Sequence, residues 1–334
     1  MTELRDYVFV IEAREPLSYG EETVGVKMLI KRINLFLPEK GLISIPVILG
    51  NAIRGVLRDI MAEVFIEETR SNLKGKPTWH AGALITLFSG GLLRGEERME
   101  RITAADIAQK ISNLLKKLLP LSIMGCALPG IMVPSKIKVS IFYPVCKETE
   151  ILIRDLVQKI TDAELRAKLE NAMKYSVEDF IIEVQMMRKD DTIKIVKLIE
   201  SKDISLKGIE KPLESKRENS KETSESKERR PVQMLFYRQA LAPGTLLIGK
   251  LNELMPLSKE ERGLLILSMR KLNAIGGAVA RGFGEIMIYN LPEDSDKDVQ
   301  AFREFIRKNA EQISKYLAMS PDNWVKKTGE NARA

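Results

Sequence analysis

The stretch SIPVILGNAIRGVLRDIMAEVFIEE, residues 44–68, contains the clearest change of secondary structure in the chain. Pro46 and Gly50 interrupt an extended run, and apolar residues then recur at helical spacing. Asn51 is a residue type that favours the N-cap position of a helix. The stretch therefore predicts a break near Gly50 and a helix over residues 52–67.

Strand and helix patterns alternate on both sides of this helix. Residues 5–14 (RDYVFVIEAR) and 136–145 (KIKVSIFYPV) are rich in the β-branched and aromatic residues typical of strands. Residues 234–251 also predict strands, and residues 258–275 predict an amphipathic helix that opens with a Ser-x-x-Glu capping box. A glycine turn then leads into a last strand. This order is compatible with an α+β fold that has a modified ferredoxin-like (RRM-like) βαββαβ core with large insertions.

The chain is predicted to be a single elaborated domain over residues 1–334, with an insertion over residues 147–235. Within that insertion, residues 211–231 (KPLESKRENSKETSESKERRP) contain almost no apolar residue, which predicts a flexible, disordered loop. Residues 177–199 look mostly extended. Further helices are predicted over residues 104–119, 150–174 and 298–317.

The composition excludes several classes of protein. The 334 residues are 44% hydrophobic, which is too apolar for a disordered protein. Two cysteines cannot form a disulfide framework, and a single histidine disfavours a Cys/His zinc site, so no metal or cofactor is expected. The net charge of +7 permits a nucleic-acid partner without demonstrating one. Because we find no export signal and no apolar run long enough to span a bilayer, we expect a cytoplasmic protein without a membrane partner.

Two arginines predict an anion-binding site at the start of the first helix. Arg54 and Arg58 lie four residues apart and therefore on one face. The free N–H groups at a helix start attract phosphate, and guanidinium groups add paired donors. Gly50 and Gly55 would let a backbone approach closely. The alternative is an ordinary amphipathic helix whose arginines are solvated.

Two glycine-rich segments are further candidates. LFSGGLLRG (87–95) has adjacent glycines beside an arginine, and such a pair suits a nest of backbone N–H groups around an anion. GGAVARGFGEI (276–286) combines glycines with an arginine for phosphate pairing and a phenylalanine for stacking on bases. The alternatives are an ordinary loop and a structural glycine turn.

Two other patterns are interpreted as structural. GTLLIGK (244–250) lacks the Ser or Thr that should follow the lysine of a phosphate loop, so it is interpreted as the edge of a β-hairpin. His80 is the only histidine on which a histidine-dependent enzyme could be built, and a lone histidine is more often a loop or packing residue.

Taken together, these segments resemble the RAMP superfamily of CRISPR-associated proteins. The resemblance is to the repeated backbone subunit that coats the guide RNA in multi-subunit effectors. Members tend to show an IPG(S/N)xLRGxLR segment entering the first helix and a late GGxxxRGFG segment. IPVILGNAIRGVLRD (45–59) and GGAVARGFGEI (276–286) are similar to these. LFSGG, followed by PLSIMGCALPGIMVPSKIKVSIFYPVCKET (120–149), looks most like the type IV version of the subunit.

The resemblance implies an RRM-like core, a thumb insertion, a helical lobe and helical filament assembly along the guide RNA (crRNA). The implied partners are the guide RNA, target nucleic acid paired to it, further copies of the chain and other effector subunits. The implied RNA-binding residues are Asn51, Arg54, Arg58, Ser89, Gly90, Gly91, Arg94, Lys136, Lys138, Arg281, Gly282 and Phe283.

The resemblance also bears on catalysis. Type III relatives carry an RNA-cutting aspartate between the first strand and the first helix, and here no aspartate occurs between Asp6 and Asp59. We therefore expect a binding subunit without nuclease activity. The alternative within the superfamily is an RNA-processing endoribonuclease with His80 as its general base. A scaffold that contacts mainly protein is a third hypothesis.

Overall fold

The computed structural model describes residues 4–38, 40–91, 104–128, 131–189, 233–292 and 296–324. These residues form the predicted mixture of helices and strands, so the α+β class is confirmed. The strands are β1 (Asp6–Ala13), β2 (Gly20–Val24), β3 (Lys27–Ile30), β4 (Arg32–Leu37), β5 (Gly41–Pro46), β6 (Cys126–Leu128), β7 (Ile131–Val133), β8 (Ile137–Val139), β9 (Tyr143–Pro144), β10 (Ile181–Lys189), β11 (Gln233–Leu241), β12 (Leu246–Glu253) and β13 (Ile286–Tyr289). The α-helices are α1 (Gly50–Ser71), α2 (Ala81–Ser89), α3 (Ala104–Leu115), α4 (Leu119–Met124), α5 (Glu150–Gln158), α6 (Ala163–Ala172), α7 (Lys259–Lys271) and α8 (Asp296–Leu317).

The central sheet has the strand order β13-β1-β12-β8, and β9 also pairs with β12. Each neighbouring pair is antiparallel. Along the chain its strands alternate with two helices in the order β1, α1, β8, β12, α7, β13. This is the strand-helix-strand-strand-helix-strand order expected of a ferredoxin-like core.

Both faces of the central sheet are covered, which explains why β1 is apolar at successive positions. Every residue of β1 after Asp6 is buried. Phe9 and Ile11 belong to the main core with α1, α7 and α8, whereas Val8 and Val10 belong to a second core with α5 and α6. An RRM binds RNA on exposed aromatic residues of its sheet. Here α5 and α6 cover the corresponding part of the second face.

A second sheet has the strand order β10-β11-β3-β2, and none of its strands belongs to the ferredoxin-like order of β1, α1, β8, β12, α7 and β13. β4 and β5 form a separate hairpin, and so do β6 and β7. The predicted insertion over residues 147–235 includes α5, α6 and β10. Its boundaries stay a prediction, and residues 211–231 lie outside the described residues.

Several predicted boundaries move in the structure. The helix predicted over residues 104–119 ends at Leu115, and Pro120 lies in the first turn of α4, where the missing N–H of proline costs nothing. The helix predicted over residues 150–174 is divided in two because the Asp162 carboxylate accepts hydrogen bonds from Glu164 N and Leu165 N and caps α6.

Two details of the predicted strands and caps are wrong. α1 begins at Gly50, with Leu49 as its N-cap, so Asn51 is already helical and caps nothing. β12, which contains most of GTLLIGK, is a central strand bonded on both sides instead of the edge of a hairpin. The capping box at Ser258 and Glu261 is confirmed, with both reciprocal hydrogen bonds present.

The two glycines of α1 have opposite surroundings and provide a matched test of the packing. A Cβ on Gly50 would overlap Val139 O, whereas a Cβ on Gly55 would meet nothing within 4 Å. We expect Gly50→Ala to destabilise the protein by about 2 kcal/mol or more, since backbone must move. Gly55→Ala is expected to stabilise it by about 0.5–1 kcal/mol through helix propensity. Urea denaturation of both variants measures the difference, and equal midpoints would contradict the close approach of α1 to β8.

Candidate nucleic-acid interface

The two arginines of α1 converge on the end of α4. Arg54 Nη2 donates a hydrogen bond to Met124 O at 2.5 Å. Arg58 Nη2 donates to the same oxygen at 2.9 Å and to Gly125 O at 3.3 Å. These carbonyls lie at the C-terminal end of a helix, where backbone oxygens carry partial negative charge. The end of α4 therefore holds the two guanidinium groups beside each other.

These hydrogen bonds leave the positive charge of the arginine pair largely uncompensated. No carboxylate among the described residues pairs with Arg54 or Arg58, and the buried Nε of Arg54 has no hydrogen-bond partner there. Burial lowers the pKa of Arg58 and the neighbouring Arg54 lowers it further, while Cys126 and Asp59 offset part of this. The net lowering means that the positive charge of Arg58 is disfavoured at this place. A bound anion would relieve both costs.

The glycine pair after α2 supports the arginine pair and does not form the predicted nest. Gly90 N donates to Thr86 O, and Gly91 N donates to Ser89 Oγ, so both N–H groups are used within the chain. Both glycines have positive φ, 78° and 88°. A Cβ on Gly90 would overlap the guanidinium of Arg58. The loop therefore provides the space for Arg58, while its own N–H groups are occupied.

Lys136 is already neutralised by a partner distant in sequence. Its Nζ lies 2.6 Å from Glu261 Oε1, a buried carboxylate that also accepts a hydrogen bond from Ser122 Oγ at 2.6 Å. Releasing Lys136 to a phosphate would leave Glu261 buried without its cation, which costs free energy. The ion pair with Glu261 therefore disfavours the predicted contact of Lys136 with RNA.

Lys138 lies instead in an open groove beside the start of α1. The groove has a volume of about 750 Å³, and it is lined by Asn51, Lys138, Lys159 and Lys250 among others. Lys250 lies 4.0 Å from Asp6 Oδ2, at the limit of an ion pair. Asn51 and Lys138 are exposed, as a phosphate contact requires. The groove thus combines a helix start with three lysines and one carboxylate, that of Asp155.

The turn at residues 281–283 divides into an exposed and a buried part. Arg281 and Gly282 are exposed at the end of a short 3₁₀ turn, Val279–Arg281. Phe283 is only 3% exposed, and its ring lies 5.7 Å from the Cζ atom of Arg238. The prediction that Phe283 stacks on bases conflicts with this burial, since its ring packs against the protein's own guanidinium. Arg281 keeps the exposure that an anion contact needs.

The remaining predicted residues have simple surroundings. Arg94 lies outside the described residues. His80 is the N-cap of α2, and its Nδ1 accepts a hydrogen bond from Gly82 N at 3.0 Å.

Both cysteines are free and buried, and burial raises the pKa of each thiol to about 11. In the part of the chain that the structure describes, no three His, Cys, Asp or Glu side chains are placed to hold a metal ion. The helices in that part are also too short or too polar to cross a membrane.

The sequence interpretation missed three cations at these sites. Lys159 and Lys250 join Lys138 in the groove, and Arg238 lies against Phe283. The position of Lys250 could have been used to predict which face of its strand it lies on, because alternate residues of a strand share a face. Arg238 and Phe283 are far apart in sequence, and no local pattern connects them.

Comparisons with known proteins identify similar structures only. No protein-family model matches the chain, and no curated protein matches it. A structure titled "Type IV-B CRISPR Complex" is similar with a TM-score of 0.45 and 16% identity, over 85% of this chain and 89% of that chain. A crystal structure of Thermofilum pendens Csc2 is similar with a TM-score of 0.36 and 14% identity, over 96% of this chain and 80% of that chain.

Proposed function

We propose that the chain is a RAMP-superfamily subunit of a CRISPR effector, most like the type IV version, that binds guide RNA by contacts to its phosphates. It oligomerises along the RNA in the cytoplasm and presents the guide for pairing with target nucleic acid, together with other effector subunits. The motifs at residues 45–59 and 276–286 support the family. The contacts of Arg54 and Arg58 support the chemistry.

The observation that carries the proposal is the unpaired arginine pair. Among the described residues, the two guanidinium groups lie beside each other without a carboxylate partner, and an anion stabilises a site of this kind. Guanidinium groups match the geometry of phosphate oxygens, because each presents a planar fork of N–H donors. Backbone phosphates occur at every nucleotide, so a site of this kind binds RNA without reading its sequence.

The surroundings of the site favour backbone contacts over base stacking. α5 and α6 cover part of the second sheet face, and Phe283 is buried. The exposed polar side chains Asn51 and Lys138 lie in the groove beside the N-terminus of α1, where they would add further phosphate contacts. A guide held by its phosphates keeps its base edges available for pairing.

We propose no nuclease activity for this chain. His80 is the only histidine, and its Nδ1 is engaged in capping α2. Among the described residues, no acid is within hydrogen-bonding distance of its ring to orient it as a general base. Incubation with a precursor guide RNA is expected to leave the RNA intact. Cutting that is abolished in His80→Ala would support the alternative of a processing endoribonuclease.

Binding of a labelled single-stranded RNA over a range of salt concentrations tests the proposal. We expect the logarithm of the association constant to fall linearly with the logarithm of salt concentration, with a slope of about −0.7 per phosphate contacted. Electron microscopy of the complex is expected to show filaments with a fixed number of nucleotides per subunit. Affinity that does not change with salt, or filaments that form equally without RNA, would contradict the proposal and favour the protein scaffold.

A further inference from the structure

A long crevice runs between α3 and α8, and we call it the α3/α8 crevice. Two cavities meet in it, of about 840 Å³ and about 580 Å³, and both are lined by Lys116 and Lys117. Phe305 of α8 lines the first cavity, and Tyr316 of the same helix lines the second. Tyr316 follows Phe305 by 11 residues, which corresponds to about 17 Å of helix and to about five residues of extended chain. The crevice is therefore long enough for a short segment of polypeptide.

The first cavity has mainly apolar walls. They come from α3, α4, β7 and α8, and they include Ile111, Leu115, Leu119, Val133 and Phe305. Met132 of β7 lines the same cavity and is 70% exposed. Two carboxylates, of Glu260 and Glu261, also line it, and Glu261 is paired with Lys136. Because apolar walls gain free energy when apolar side chains displace water from them, this cavity favours an apolar ligand group.

The second cavity is cationic, and no carboxylate of the described residues lines it. Its four lysines are Lys110, Lys116, Lys117 and Lys315. In the part of the chain that the structure describes, Lys116, Lys117 and Lys315 form no ion pair with a carboxylate. Lys117 Nζ donates to Asn309 Oδ1 at 2.6 Å, and this neutral amide positions the ammonium group without neutralising its charge. The nearest acid in sequence, Asp322, accepts a hydrogen bond from Ser320 Oγ at 3.4 Å. The cavity therefore favours an anionic ligand group.

Two features of the crevice favour a protein segment over a strand of nucleic acid. A nucleic-acid strand would place charged phosphates against the apolar walls, where burial of an unpaired charge is costly. The cationic cavity is also lined by the side-chain amides of Asn113, Gln312 and Asn323. An amide offers both donors and acceptors, which match the N–H and C=O groups of an extended peptide, whereas a phosphodiester only accepts hydrogen bonds.

We infer that the α3/α8 crevice binds an extended segment of a partner protein in which apolar residues adjoin acidic residues. The apolar side chains occupy the cavity beside Phe305, and the carboxylates lie beside Lys116, Lys117 and Lys315. Glu260 repels carboxylates from the first cavity, so the charges of the crevice decide which part of the segment lies in which cavity. The inference does not depend on the proposed function, because it uses neither the arginine pair of α1 nor an RNA ligand.

Four synthetic peptides with a fluorescent label test the crevice. LIVLEDED and DEDELVIL place the apolar half before and after the acidic half, LIVLKRKR replaces the acids by bases, and GSGSEDED lacks the apolar half. Fluorescence anisotropy at a salt concentration of about 50 mM, where exposed charges are weakly screened, measures their affinity for the full chain.

Three variants of the chain complete the experiment. Lys116→Glu/Lys315→Glu reverses two charges of the crevice, and Met132→Gln replaces an exposed apolar side chain of the first cavity. Lys174→Glu/Lys297→Glu is the matched control, because it makes the same change of charge at exposed lysines that do not line the crevice. Circular dichroism verifies that each variant keeps the fold.

We expect one of the two mixed peptides to bind wild type about tenfold or more tightly than LIVLKRKR and GSGSEDED, since each of these lacks one half of the match. Lys116→Glu/Lys315→Glu is expected to weaken that binding about tenfold, because attraction of the acidic half becomes repulsion. Met132→Gln is expected to weaken it about threefold through lost apolar contact, and the control is expected to stay within about twofold of wild type.

Failure of both mixed peptides to bind wild type would overturn the inference, and so would equal affinities in the crevice variant and the control. Loss of poly-U RNA affinity in Lys116→Glu/Lys315→Glu, without any peptide binding, would assign the crevice to nucleic acid instead. Sedimentation that shows dimers of wild type but monomers of that variant would assign the crevice to a second copy of the chain and overturn a separate partner. Peptide affinity is expected to be unchanged in Arg54→Ala/Arg58→Ala, so failure of the proposed function would leave this test intact.

Discussion

The double variant Arg54→Ala/Arg58→Ala is expected to lose on the order of 100-fold in affinity for single-stranded RNA. Each guanidinium would supply at least one charge-assisted contact to a phosphate, worth about 1.5 kcal/mol, and two such contacts correspond to about two orders of magnitude. Both side chains converge on the carbonyl of Met124, so one substitution changes the surroundings of the other. We therefore expect the two single substitutions to be non-additive.

The salt dependence of this variant provides a second measurement. Loss of two phosphate contacts is expected to reduce the magnitude of the slope by about 1.4, because each contact to a single strand contributes about 0.7. Structural damage that merely lowers the folded fraction would reduce affinity without this change of slope. Circular dichroism of the free variant verifies that the fold is retained.

The matched control is Arg303→Ala/Arg307→Ala on α8. It removes the same net charge at the same spacing of four residues, from exposed positions where Arg303 makes a surface contact with Glu68 at 3.4 Å. We expect its RNA affinity to stay within about threefold of wild type, since a general loss of charge acts weakly over a Debye length. Equal losses in the two double variants would show that net charge alone binds RNA and would contradict a site on α1.

The substitution Arg262→Met is expected to reduce the free energy of unfolding by about 3–5 kcal/mol. Arg262 donates hydrogen bonds to Glu253 Oε1 at 2.8 Å and Oε2 at 3.0 Å, and Tyr7 donates to Oε1 at 2.9 Å. The Glu253 side chain has 0% exposure and that of Arg262 has 6%. Removal of Arg262 therefore leaves a buried carboxylate without its cation. Chemical denaturation measures the loss.

A second arginine of α7 provides the control for this substitution. Arg270 forms an ion pair with Asp296 at 2.9 Å, but the two side chains are 36% and 85% exposed. Arg270→Met is expected to cost less than about 1 kcal/mol, because exposed ion pairs contribute little. The triple variant Tyr7→Phe/Glu253→Leu/Arg262→Met is expected to recover most of the stability lost in Arg262→Met. Equal effects of the Arg262 and Arg270 substitutions would contradict a buried network.

The buried network also predicts how stability depends on pH. Burial alone would raise the pKa of Glu253, but hydrogen bonds from Arg262 and Tyr7 hold it below its ordinary value. A carboxyl group with a lowered pKa in the folded state stabilises that state above the unfolded pKa of about 4.3. This contribution is lost as the pH falls through the lowered value. Below pH 4, the wild type should therefore lose stability faster than the triple variant.

The strands and helices of the core could be predicted from local sequence because their patterns are short in range. The β-branched and aromatic residues of 5–14 predict β1, helical spacing and a capping box predict α7, and the structure contains both at nearly the predicted positions. The less accurate predictions concern places where a distant partner decides the conformation. α1 begins at Gly50, and at this residue its first turn packs within contact distance of the backbone of β8. The local sequence around Asn51 does not predict that packing.

At the candidate site, too, nearby residues predict some properties, whereas residues distant in sequence decide others. Helical spacing placed Arg54 and Arg58 on one face, and the structure brings both to the end of α4. Lys136 looked equally available, yet it pairs with Glu261, 125 residues away in sequence. Phe283 looked available for stacking, yet it is buried beside Arg238. Each difference arises because burial and ion pairing depend on residues that only folding brings together.

Local patterns were sufficient for the α+β class, the order of the core elements and the position of paired arginines on a helix. They are sufficient because hydrophobic periodicity, helix caps and glycine turns act within a few residues. Tertiary structure alone decides which cations remain without a carboxylate and which aromatic ring is exposed. Among the described residues, Arg54 and Arg58 differ from Lys136 and Arg262 in their neighbours across the fold, and those neighbours determine whether a cation already has a carboxylate partner.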